Sequence, residues 1–344
     1  MKSKNHIAIL YAFIAAAFYA INIPISKLLL VEIDSTFLAS FLYLGAGIGI
    51  GIVYLISHVF HPVQKLEKLS REDVPYVIGM IALDILAPIS LLYGLSNTTS
   101  ANASLLNNFE IVTTSLIAFV VFKEVISKRL KGAIVLITAA SIVLSFEDLS
   151  GLKFSWGSIF VLIAAVSWGF ENNCTRKISS KSTYEIVIMK GICSGLGSFL
   201  IAMAIGERIL NGTYILIALL VGFISYGLSI FFYIKAQKDL GAAKTSAYYA
   251  IAPFIGVLLS FVLLNETLTY QYFIALLIML LGTVLVVVDT IIMNHSHVHS
   301  HTYVHTHDEV THVHTIMHEH NHNHISEKHL HKHQGHRISN QRNE

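Results

Sequence analysis

Charge is scarce in this sequence. Only 13% of its 344 residues are charged, against 54% hydrophobic, and the formal net charge is +2. That balance excludes an ordinary soluble domain. The basic residues sit in short clusters between apolar runs, so the continuous basic patch that nucleic acid requires is missing. Cysteine is nearly absent: Cys174 and Cys193 stand about 19 residues apart without CxxC spacing, which rules out a disulfide scaffold. Absent too are a GxxxxGK[ST] phosphate loop, a nucleophile elbow and an HExxH helix, so no enzyme class finds its motif here.

What the chain has is long apolar runs. A bilayer core about 30 Å thick needs about 20 apolar residues per helix. About ten segments qualify, over 7–29, 37–59, 74–95, 101–122, 130–147, 156–176, 185–205, 213–235, 242–264 and 270–292. They lack the period-two alternation of a barrel, and only helices or closed barrels satisfy the backbone in lipid, so these are expected to be helices. The run after "MKSKNH" reads as the first of them, since no small-residue cleavage site follows it. With an even number of spans both ends lie on one side. Placing the N-terminus inside leaves fifteen loop Lys and Arg inside and only Lys27, Lys153 and Arg208 outside, which predicts cytoplasmic termini.

The chain also repeats itself. Shifted by 142 residues, "ANASLLNNFEIVTTSLIAFVVFKE" (101–124) falls on "AKTSAYYAIAPFIGVLLSFVLLNE" (243–266), matching Ala101, Ser104 and Glu124 to Ala243, Ser246 and Glu266. Shifted by 149, "IAAAFYAIN" from Ile14 falls on "IAAVSWGFE" from Ile163. Two halves of five helices follow, and because five is odd the second half crosses the membrane inverted, the plan of many secondary transporters. The expected division is 1–149, 150–292 and a tail over 293–344.

These landmarks resemble the drug/metabolite transporter superfamily, in particular its EamA-type members, over residues 7 to about 292. The resemblance rests on Tyr19-Ala20 and Trp168-Gly169, on "LLYGLSNTTSANASLL" (91–106), on "FKE" (122–124) and "LNE" (264–266), and on Pro253 thirteen residues before Glu266. Ile111 stands where the first half would match that proline, and "FKE" replaces the more usual Gly-Glu. The resemblance implies an all-α, ten-helix carrier of small organic solutes in the inner membrane, often an exporter, with a cavity between its halves.

A charge near the bilayer centre costs about 2.5–3.5 kcal/mol on insertion scales, so each one needs a partner or a watery cavity. Asp84 lies mid-span with Pro88 one turn later. Glu110 shares a helix face with Asn107 and Thr114, and Glu171 with Trp168 and Thr175, beside Asn172. Lining a cavity, these carboxylates can hold a cationic or zwitterionic solute or exchange protons with a gradient. The structural alternative pairs Glu171 with Lys190 and bonds Asp84 to a neighbouring helix. Lys190 is read as an ion-pair or near-interface residue, and Glu124 and Glu266 as structural helix ends. Tyr248 and Tyr249, equivalent by the repeat to Leu106 and Asn107, offer rings and hydroxyls to an amphipathic solute, or else anchor the helix at the interface. Tyr19, Asn22 and Ser26 form a similar polar face.

Sixteen of the nineteen histidines fall between His295 and His336. Those at His295, His297, His299, His301, His305 and His307 alternate with Ser, Val and Thr, and the pattern returns at His312, His314, His318, His320, His322 and His324, then at His329, His331 and His333. Imidazole suits zinc, nickel, copper and cobalt. Having little apolar content, the tail is expected to be disordered without metal. It can buffer metal for a metal-exporting core, sense metal for an organic-solute carrier, or respond to pH. Divalent metal transport and a metal-binding membrane protein that transports nothing are the competing readings. The spans lack paired histidines, and the inverted repeat disfavours the second. No cofactor is required, while the tail can bind Zn, Ni, Co or Cu. The expected partners are a small-molecule solute, the lipid bilayer, divalent ions and a second copy of the chain in a homodimer.

Overall fold

The computed structural model describes residues 2–60, 69–122, 126–148, 153–178, 181–209, 211–240, 245, 248–267, 269–293, 295–307 and 310–322. Two compact units divide at Ile291/Ile292. The first is helical: α1 (Lys2–Ala20), α2 (Asn22–Leu29), α3 (Ser35–Phe60), α4 (Val74–Ser96), α5 (Ser100–Leu106), α6 (Phe109–Phe122), α7 (Lys128–Leu144), α8 (Trp156–Ile178), α9 (Thr183–Ile205), α10 (Thr213–Gly222), α11 (Ser229–Leu240), α12 (Ala252–Leu264) and α13 (Tyr270–Met293). A short antiparallel pair, β1 (Phe146–Asp148) with β2 (Lys153–Phe154), joins α7 to α8. Helix starts are capped as the sequence allows: the side chains of Thr99, Ser127 and Ser182 accept from the amides of Asn102, Leu130 and Glu185.

Seven helical stretches among the described residues are long and apolar enough to cross a membrane, and the chain is a multi-pass membrane protein. Ten spans were expected. Of the remaining three segments, α7 has 17 residues and α12 has 13, while α8 has 23 but carries Glu171, Arg176 and Lys177. The polarity of α8 has a cause in packing, because Glu171 and Asn173 are buried against other helices.

Four apolar stretches are interrupted. The first breaks at Ile21 between α1 and α2, and the fourth at Asn107–Asn108 between α5 and α6. Between α10 and α11 the chain widens into a π-helical segment, Phe223–Leu228. A further break falls at Ala250–Ile251, before α12 and Pro253. The breaks at 107–108 and 250–251 fall within one residue of corresponding positions of the two repeats.

Packing pairs the halves symmetrically. α4 lies on α8 as α1 lies on α11, α6 lies on α8 as α1 lies on α12, and α3 packs on α9 and α5 on α12 across the centre. Exchanging the halves turns α4/α8 into α11/α1 and α6/α8 into α12/α1, and returns α3/α9 to itself. Close approach depends on glycine at the α3/α9 crossing, where a Cβ on Gly47 would sit 2.7 Å from the backbone nitrogen of Ile192.

The end of the bundle opposite the N-terminus is tied by backbone contacts. Glu207 accepts from the amides of Thr36 (2.8 Å) and Phe37 (2.9 Å) and from the Thr36 hydroxyl (2.6 Å), at the start of α3. Glu266 accepts from the amides of Ser100 (2.6 Å) and Ala101 (2.8 Å), at the start of α5. Both carboxylates lie where free amides and the helix dipole favour negative charge. Lys27 closes the end of α4 by donating to the carbonyls of Leu95 (2.6 Å) and Thr98 (2.7 Å). Glu266 therefore has the structural role expected of it, while Glu124, Ala243 and Ser246 lie outside the described residues.

The second unit departs from expectation. Residues 295–322 were read as disordered without metal, yet they form an antiparallel hairpin of β3 (His295–His307) and β4 (Val310–His322). Histidine at every second position leaves Val, Thr and Ser at many of the others, and a period of two with β-branched residues is a strand signal that outweighs low apolar content. His324, His329, His331 and His333 lie outside the described residues.

Candidate functional site

The site begins with a lysine. Nζ of Lys190, on α9, lies 2.8 Å from Oε1 of Glu171 on α8 and 3.3 Å from Oδ2 of Asp84 on α4. Asp84 is completely buried, Glu171 is 2% exposed and Lys190 is 6% exposed. The contact to Glu171 is a hydrogen bond, whereas Oδ2 of Asp84 has no directed donor, so its contact with Lys190 is an ion pair alone. The other oxygen of Asp84 accepts from the Tyr43 hydroxyl at 2.9 Å, and Glu171 also accepts from Thr175 one turn along its own helix. Pro88 has no amide to donate to the Asp84 carbonyl, which loosens α4 at the charged residue.

The third carboxylate stands apart from the lysine. Glu110, in the first turn of α6, accepts from Nδ2 of Asn172 at 2.5 Å. Gly169 makes this contact attainable: a Cβ there would lie 2.6 Å from the Thr113 side chain, so only glycine lets α8 come so close to α6. The break before α6 exposes polar groups inside the protein. Oδ1 of Asn107 and both side-chain polar atoms of Asn108 are buried without a hydrogen-bond partner among the described residues, as are Oγ of Ser104 and Oγ1 of Thr114. Buried polar atoms of that kind are rare and call for a ligand or water.

An aromatic cluster adjoins the carboxylates. Tyr19 is its centre, with ring centroids 5.8 Å from Tyr249, 6.0 Å from Tyr226 and 6.5 Å from Trp168. Tyr226 sits on the π-helical segment and lies 5.0 Å from Tyr43, which joins the cluster to Asp84. Its hydroxyl accepts from Asn22 at 3.0 Å, and Asn22 in turn accepts from Ser26 at 3.1 Å. The Tyr19 hydroxyl accepts from Nδ2 of Asn107 at 2.9 Å. Tyr19 therefore touches both repeat-equivalent positions, Asn107 and Tyr249, beside the two corresponding breaks.

Six of the seven sequence-predicted solute residues meet here: Asp84, Asn107, Glu110, Trp168, Glu171 and Tyr249. Tyr248 does not, because it points the other way and packs on Phe13 at 5.6 Å. Neighbouring helical residues diverge by about 100°, which carries Tyr248 away from the cluster that Tyr249 joins. Reasoning from sequence missed Tyr43, Tyr226 and Asn108. The first two are single tyrosines in apolar runs, with only a serine at helical spacing, Ser40 and Ser229, and no ionisable residue to mark them. An apolar recess of about 470 Å³ between α4 and α8, bordered by Leu83, Leu86, Ile163 and Phe170, carries no charged group and is separate from the site. Among the described residues of the helical unit no group of three or more His, Cys, Asp or Glu is arranged to hold a metal ion.

A model of the EamA-like transporter family matches the chain twice, over residues 6–146 and 155–288. The chain belongs to the EamA-like transporter family. The two matched stretches bracket β1 and β2, and each contains one half of the aromatic and acidic network. An uncharacterized transporter of Methanothermobacter thermautotrophicus is 24% identical, over 78% of this chain and 82% of its own length. The uncharacterized transporter YyaM of Bacillus subtilis is 23% identical, over 66% of this chain and 78% of its own. A solved crystal structure shares the fold, with TM-score 0.60 at 16% identity, covering 82% of this chain and 96% of that chain. This EamA-like protein has the role of a membrane transporter.

Proposed function

We propose that this EamA-like protein is a secondary exporter of small organic solutes that bear a positive charge, working by alternating access between two inverted five-helix halves. It sits in the inner membrane with both termini cytoplasmic and performs no catalytic step of its own. The observation that carries this reading is the charge count of the buried network. Asp84, Glu171 and Glu110 are three carboxylates, and Lys190 is the one ammonium group among them. Ionised together they leave a charge of −2 in a low-dielectric interior, an arrangement that draws in a cation or protons. The Tyr19, Trp168, Tyr226 and Tyr249 rings beside them offer faces to an organic ammonium group. Oδ1 of Asn107 and the side-chain amide of Asn108, without partners among the described residues, supply a donor and acceptors for the rest of the solute.

Coupling follows from the same groups. A carboxylate that releases its proton when the ammonium group arrives exchanges one positive charge for another, so a proton gradient can drive solute outward without a nucleotide. Metal transport through the bundle finds less support in the side chains, since among the described residues no histidine joins the acidic groups.

The test is a growth screen of an overexpressing strain against cationic dyes, amines, amino-acid analogues and divalent metals. Tolerance to an organic cation or zwitterion is expected, and Glu110→Gln abolishes it at unchanged expression. Tolerance to nickel, cobalt or zinc alone, or full tolerance in the Glu110→Gln variant, overturns the assignment.

A further inference from the structure

β3 and β4 each have thirteen residues and pair from His295 opposite His322 to His307 opposite Val310. Successive side chains of a strand alternate between faces, and directly opposed residues share one. In this register the odd-numbered positions of β3 share a face with the even-numbered positions of β4. All six histidines of β3 are odd-numbered and all five of β4 are even-numbered. One face of the hairpin therefore carries eleven histidine positions, and the other carries none.

Their distribution along that face is uneven. Three consecutive rungs are histidine on both strands: His295 with His322, His297 with His320, and His299 with His318. Next come two mixed rungs, in which His301 meets Ile316 and Tyr303 meets His314. A second dense patch follows at His305 with His312. Opposed Cβ atoms lie about 5 Å apart and second neighbours along a strand about 7 Å. Two adjacent rungs thus put four histidine positions at the corners of a rectangle of about 5 Å by 7 Å, a spacing at which imidazoles can share one ion. A single HxH strand offers two ligands for an ion; the pairing of strands offers four.

We propose that residues 295–322 form a one-faced histidine ladder that binds two divalent ions of the zinc, nickel, copper or cobalt class across its strands. One ion is held among the three histidine rungs at the 295/322 end, and one around His305 and His312. Imidazole ligation selects this class over calcium or magnesium, which take oxygen ligands. The inference is independent of what the helical unit carries.

The test uses the full-length protein in detergent, titrated with Ni²⁺ and with Zn²⁺ by calorimetry and equilibrium dialysis. The exchange M317H/H318M, E319H/H320E, N321H/H322N keeps composition and HxH spacing but moves three histidines of β4 to the opposite face. It is expected to remove one tightly bound ion per chain, or to weaken that ion at least tenfold. Adding H295S/S296H, H297V/V298H and H299S/S300H re-pairs the histidines on the new face and restores the ion. H305S with H312S removes the second ion and leaves the first. Equal stoichiometry and affinity in the β4 exchange and the wild type would show an unordered chelating chain and overturn the ladder, as would a wild type that binds no ion tightly.

Discussion

Glu207 and Glu266, at the end of the bundle, and Asp84, Glu110 and Glu171, in its interior, are all carboxylates in an apolar protein, yet their partners differ in kind. The first two accept mainly from backbone amides at helix starts, groups that cannot change protonation and cannot leave. The interior three face Lys190, Tyr43, Thr175 and Asn172, all side chains. Side chains can change rotamer, exchange a proton or yield to an incoming solute, and backbone amides can do none of these. The difference separates carboxylates that hold the fold from carboxylates available for exchange.

The largest expected effect falls on the interior set. Asp84→Asn keeps the shape of the side chain and the Tyr43 contact but removes a charge from the network, and transport in vesicles is expected to fall at least 100-fold at normal membrane expression. Wild-type turnover would place Asp84 with the structural carboxylates and end the distinction.

Lys190 sharpens it from the other side. Lys190→Met leaves Asp84 and Glu171 buried together without their cation, and breaking such a pair costs about 3–5 kcal/mol. A strong drop in thermal stability is therefore expected. Combining Lys190→Met with Asp84→Asn and Glu171→Gln removes the uncompensated charges, and stability should return while transport does not. Recovery of transport in the triple variant would mean that these groups only balance one another.

How much of this was legible in the sequence depends on the kind of signal. Ionisable residues inside apolar runs are conspicuous, so Asp84, Glu110, Glu171 and Lys190 could be named, and the Glu171–Lys190 pair was one of two readings open for them. The self-match at 142 residues made Asn107 and Tyr249 equivalent before any geometry was known, and both meet at Tyr19. Tyr43 and Tyr226 could not be found in this way. Tyr226 reaches the cluster from a π-helical segment, "FISYGL", which has no sequence signature, and Tyr43 is recognisable only once α3 is seen to cross α4 beside Asp84. The tail shows the opposite failure: its composition argued for disorder, but its period of two, plain in the letters, is what the hairpin follows.

The smallest expected effect lies at the bundle end, where the comparison can be divided further. Glu207 holds two amides and a hydroxyl, with the Ser35 hydroxyl a further 3.3 Å contact, while Glu266 holds two amides. Hydrogen bonds to a charged group contribute about 1.5–3 kcal/mol, and loss of a helix cap about 1 kcal/mol. Glu207→Ala is expected to cost about 2 kcal/mol and Glu266→Ala less, read as midpoint shifts in thermal unfolding of the detergent-solubilised protein. The loop beside Glu207 has a reserve that explains why its loss is tolerable: Ile33 bridges Ile209, and Asp34 and Arg208 exchange two backbone-anchored contacts at 2.7 and 3.1 Å. Because neither glutamate touches the interior network, the half-saturating solute concentration should stay within about twofold of wild type in both variants. A tenfold change in either would mean that the helix starts at this end take part in solute binding, and the end carboxylates would then belong with the interior set.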